Sequence, residues 1–161
     1  MTIRRGITAL AVAATTAAGM LTTTGPAGAT PSCGSISKST VGSTLKVTVG
    51  APTTLHGTNH YYGFAETTQT CKYVGSATTV FVIFGTPATS ANFAKLQAYL
   101  GGVSVPGVGV KAFKTIAYSA NHVADLGIYA LVPGKAIVSV SASKVTAASE
   151  VAFLRHLATK L

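Results

Sequence analysis

Acidic residues are nearly missing from this sequence: Glu66, Asp125 and Glu150 are the only three among 161 residues. Glu150 reads as a helix-start charge and Asp125 stands at a strand entrance, so a pair of carboxylates flanking a substrate is not expected. No glycine-serine-glycine elbow is present to expose a serine nucleophile. Cysteine occurs twice, and if Cys33 and Cys71 are bonded to each other no thiol nucleophile is left. The apolar run from Ile7 to Leu21 is too short and too rich in threonine for a membrane span. No internal repeat is found, and the length permits one domain.

Positive charge is what the chain has instead. Twelve Lys and Arg give a net charge of +9, or +7 once Arg4 and Arg5 are set aside. Such a surface is drawn to polyanions. The lysines are dispersed and form no dense run, so the same charge also serves solubility.

Arg4-Arg5, the apolar run and the Gly25-Pro26 break before Ala27-Gly28-Ala29 have the order of a secretory signal, cleaved after Ala29. The arginine pair raises the twin-arginine route, but its surroundings fit poorly and the general route is favoured. The expectation is an exported single domain over 30–161. Outside the cell the partners would be an anionic envelope component or a protein, in preference to nucleic acid. Cys33 does not directly follow the apolar run, which argues against lipidation. Two cysteines in an exported chain allow one intramolecular bond, Cys33–Cys71, expected to stabilise the fold by about 3 to 4 kcal/mol.

The stretch Cys71–Gly85 organises the rest. Thr78 to Phe84 is a short β-branched and aromatic run between glycine-containing turns, which predicts a strand. Val80, Val82 and Phe84 point to one face, Phe81 and Ile83 to the other. Apolar residues on both faces predict a central strand covered on both sides. Gln69 to Val74 should pair with it through Gly75-Ser76-Ala77.

Along the rest of the chain, a short helix is expected from Ser37 to Leu45, then an extended segment toward Leu55. Ser90 to Leu100 predicts a helix with Ser90 as N-cap, a Phe93/Leu96/Leu100 stripe and a Gly101-Gly102 stop. Leu126–Val132 and Ala136–Ala142 predict a hairpin with the three-residue loop Pro133-Gly134-Lys135, because a one-residue slip would scramble its buried face. Thr146 to Lys160 predicts an amphipathic helix with Val151, Leu154, Ala158 and Leu161 on one face and Leu157 bordering it. This order implies an α+β domain, an antiparallel or mixed sheet covered by helices.

Three stretches bear on function. His56 to Thr70 carries glycines and polar residues with Tyr61, Tyr62 and Phe64, and reads as a loop. Its aromatics either fold back on the core or form a contact surface, making His56, His60, Tyr61, Tyr62 and Phe64 the candidate ligand contacts. His56 and His60, with Glu66 or His122 as third ligand, are the weaker alternative of a metal site in a metal-dependent hydrolase. Gly107 and Gly109 could present amides to phosphate, but the third glycine of a dinucleotide fingerprint is replaced by Ala112, and a tight connection into a strand is expected.

Cys33, the second cysteine followed by Lys72-Tyr73, the helix containing Phe93, the Pro106–Phe113 turn and the last strand pair before a C-terminal helix carry a likeness across most of 33–161. The chain resembles a family of secreted and lipid-anchored actinobacterial domains of unknown function, similar to the extracellular sensor domain of mycobacterial receptor serine/threonine kinases. Val110 stands where that family usually has an acidic residue. The resemblance implies a PsbP-like α/β sandwich for binding or sensing at the cell envelope, with no enzymatic activity, catalytic residue or cofactor. A purely structural envelope component is the remaining alternative.

Overall fold

Alternation along Val80, Val82 and Phe84 buries all three on one face of a strand that now serves as the reference for the sheet. A computed structural model describes residues 30–61, 63–115 and 127–161. The expected signal (1–29), Tyr62, His122, Asp125 and Leu126 lie outside the described residues.

Seven strands form one antiparallel sheet: β1 (Thr53–Tyr61), β2 (Phe64–Val74), β3 (Thr79–Thr86), β4 (Val103–Ser104), β5 (Lys111–Lys114), β6 (Ile128–Val132) and β7 (Ala136–Ala142). Their order across the sheet is β1-β2-β3-β7-β6-β5-β4, so β3 is internal, as its sequence demands. β2 pairs with β3 from Thr67↔Thr86 to Val74↔Thr79. In the second hairpin Val132 pairs with Ala136 and Ile128 with Val140, which is the three-residue loop.

Among the described residues three helices cover the sheet: α1 (Lys38–Leu45), α2 (Ser90–Leu100) and α3 (Ala147–Lys160). α1 and α3 lie on the face of Val80, Val82 and Phe84, where Val41, Leu45, Phe153, Leu154 and Leu157 join Cys71, Tyr73, Val138 and Val140 in the main core. The buried face of α3 is thus Glu150, Phe153, Leu154 and Leu157. This corrects the expected stripe: Val151, Ala158 and Leu161 pack at its margin. Thr89, not Ser90, caps α2, its hydroxyl accepting from the Asn92 N–H at 3.1 Å.

α2 lies on the opposite face, where Phe93 and Leu96 pack with Phe113, Leu131 and Ile137 in a smaller core. This second layer is shorter than the first. Phe81 and Ile83 are only half-buried, which corrects the expectation of full cover on both faces. Cys33, in a single 3-10 turn (Cys33–Ser35), is bonded to Cys71 of β2. The buried Tyr73 hydroxyl donates to the Ile36 carbonyl at 2.8 Å and fastens the same turn.

Candidate functional site

The stretch expected as a loop is a hairpin. β1 and β2 pair without interruption from Thr53↔Lys72 to Tyr61↔Phe64, and Gly63 (φ 88°) completes the two-residue turn. Threonine, tyrosine and phenylalanine favour a pleated surface, and β1 is exposed at nearly every position. A strand wet on both faces has no apolar alternation to betray it.

This register decides where the candidate residues fall. His56 and His60 share the Cys71 face of the hairpin and are exposed, roughly 13 Å apart along the strand. Glu66 lies on the other face with Asn59, so that although His60 and Glu66 border one cleft, His56 does not join them. Among the described residues no group of three His, Cys, Asp or Glu is placed to hold a metal ion. Tyr61 and Phe64 are half-buried and stacked, ring centroids 5.0 Å apart, with Tyr99 of α2 edge-on to Tyr61 at 5.4 Å. Of the two readings of these aromatics, folding back on the core describes this pair. Gly107 and Gly109 have φ of 72° and 55°, and the Arg155 guanidinium donates to the Gly107 carbonyl at 2.8 Å. Positive φ in a turn entering β5 accounts for both glycines.

Among the clefts that the described residues form, two along the sheet were announced by no sequence motif. The first, about 360 Å³, lies at the end of the sheet away from α2. It exists because β7 runs on to Ala142 while β6 begins only at Ile128. Phe81, Ile128, Ala142 and Val145 supply apolar walls, and Thr115, Ser141 and Ser143 hydroxyls. Lys114, exposed at the end of β5, and Glu150 are its charged groups.

Glu150 does begin α3, but it is buried and not a solvated helix-start charge. Its Oε1 accepts the Ala142 N–H at 2.7 Å, at the edge that β6 leaves open. Burial pushes the carboxyl up to about 7, against the opposing pull of that hydrogen bond. A carboxyl raised on folding holds its proton more tightly folded than unfolded. Stability is then highest below the ordinary value of 4.5 and falls as pH rises through about 7. Glu150→Gln keeps the acceptor and removes the ionisation. It is expected to flatten that decline, stabilising the protein by roughly 1–2 kcal/mol near pH 8 after allowing for water at the cleft. Thermal midpoints of both proteins across the acid-to-neutral range measure it, and parallel curves would refute it.

The second cleft, about 390 Å³, lies on the α2 side between the β1–β2 hairpin and β6–β7. Thr58, Asn59, His60 and Tyr61 line it from β1, Glu66 from β2, Ile83 from β3, Tyr129 from β6, and Ile137 and Ser139 from β7. The Tyr61 hydroxyl donates to Glu66 Oε2 at 3.3 Å and accepts from the Asn59 amide at 3.2 Å.

No protein family, no curated protein and no solved structure matches this chain when each is compared with it.

Proposed function

We propose that this is a non-enzymatic, exported cell-envelope protein that binds an anionic amphiphile in the cleft at the β3–β7 end of the sheet. The observation that carries the reading is the make-up of that cleft, apolar walls on Phe81, Ile128 and Val145 with Lys114 as its basic residue and Glu150 as its buried acidic one. Such a lining suits an acyl or isoprenoid body with an acidic head. The basic surface would raise the local concentration of anionic ligands before they dock. Export is supported by the Cys33–Cys71 bond, which is kept in oxidising compartments, and by the expected signal. No helix among the described residues is long and apolar enough to cross a membrane. The family resemblance points the same way.

Titration with lysophosphatidylglycerol below its micelle concentration, followed by thermal midpoint, tests this. The midpoint should rise, because a ligand held only by the folded state stabilises it. Lys114→Ala should weaken binding about three- to tenfold, and salt should weaken it in the parent protein. An affinity indifferent to both would overturn the assignment.

A further inference from the structure

Glu66 is an oddity of placement. In a chain where Lys and Arg outnumber acids fourfold, it is 5% exposed, and the residues lining its cleft include no Lys or Arg, His60 at the rim being the one basic side chain. In the hairpin the one Lys or Arg is Lys72, opposite Thr53 and six residues along β2 from Glu66. Lys95, which reaches the hairpin from α2, donates to the Gly63 carbonyl at 3.1 Å at the turn.

The sheet makes room for this carboxyl. Glu66 lies over Gly85 of β3, where a Cβ would overlap its Oε1 and carboxyl carbon. Gly85 φ is not in the left-handed region, so the glycine here answers to space and not to backbone conformation. Burial raises the carboxyl above its ordinary value, and only the Tyr61 and Asn59 side chains oppose it. A buried carboxylate is satisfied either by a proton or by a cation.

We infer that this second cleft binds a small organic ammonium ion, with the Glu66 carboxylate as counter-charge and the Tyr61 and Tyr129 rings beside the alkyl groups. Tyrosine faces attract ammonium ions, and the attraction grows when water is excluded. Asn59 and Ser139 add neutral polar atoms for a hydroxyl or an N–H of the ligand. A divalent metal fits poorly, because hard cations gather six or more oxygens and prefer several charged ones. This site is separate from the amphiphile cleft, which lies at the other end of the sheet and has none of these residues in its lining.

The test is calorimetric titration of the oxidised protein with choline chloride and with 3,3-dimethylbutan-1-ol, its neutral carbon isostere. Choline should bind at least tenfold more tightly than the isostere, a comparison that needs no variant. Glu66→Gln, checked for folding by circular dichroism, should lose at least tenfold in choline affinity and bind the two alike. Because the counter-charge is buried, choline affinity should change little between low and high salt, the reverse of the anionic amphiphile. No choline binding, equal binding of the two by the parent protein, or full choline affinity in a folded Glu66→Gln protein would each overturn the inference.

Discussion

Replacing Cys33 and Cys71 together by alanine is expected to lower the unfolding free energy by about 4 kcal/mol. The bond joins residues 38 apart in sequence, so its loss frees a long loop in the unfolded chain. Small domains are stable by about 5–15 kcal/mol, so this loss is a large share. Both half-cystines are buried, and α1 follows directly from the turn that Cys33 occupies. The Tyr73–Ile36 hydrogen bond remains to hold that turn, so the variant should still fold, at a markedly lower urea midpoint. Urea titrations of the oxidised protein, the reduced protein and the double variant measure the effect. A reduced protein that unfolds at the oxidised midpoint would show that packing alone fixes the N-terminal turn.

Truncating Phe153 should cost a comparable amount, about 3–5 kcal/mol for Phe153→Ala. Its ring is fully buried where α3 meets the sheet, among Leu154, Leu157 and the strand residues of the main core. The surrounding strands cannot collapse into the space, because their positions are fixed by neighbours on both sides. The consequence reaches the first cleft, since Glu150 lies one turn before Phe153 on the same helix. Phe153→Leu should recover most of the loss. Denaturant unfolding with an unchanged slope and a shifted midpoint is the expected signature. A loss below about 1 kcal/mol would mean that α3 is held elsewhere along its length.

What the sequence reveals and what it conceals follows from how each element earns its burial. β3 is legible because Val80, Val82 and Phe84 alternate toward a core and Phe81 and Ile83 are apolar too. The β6–β7 turn is legible because only one loop length puts Ile128 opposite Val140 and Ala130 opposite Val138. The cysteine pair is legible by count. β1 is not, since Thr53 to His60 is exposed whichever way a side chain points, and Gly57 and Asn59 are composed like a turn. Phe153 could have been found from its spacing with Glu150, Leu154 and Leu157, but a charged residue in that series disguises the face. The clefts are the least legible. One comes from unequal lengths of neighbouring strands, the other from a glycine that a carboxyl covers from across the sheet.

The strand order holds a further consequence. β1-β2-β3 is one local meander and β4-β5-β6-β7 another, and the single pairing of β3 with β7 joins them. The disulfide lies wholly within the first meander and its preceding turn, so it does not sew this seam. What bridges the two blocks is α1 against α3 on one face and α2 reaching the hairpin tip on the other. The molecule is thus two locally connected ribbons joined along one line, with Val80, Val82 and Phe84 on one side of it sharing a single core with Val138 and Val140 on the other. Amide protons of Val80 to Gly85 and Ile137 to Ala142 that point across this line would exchange together, as one cooperative unit, and later than those of the exposed β1 edge.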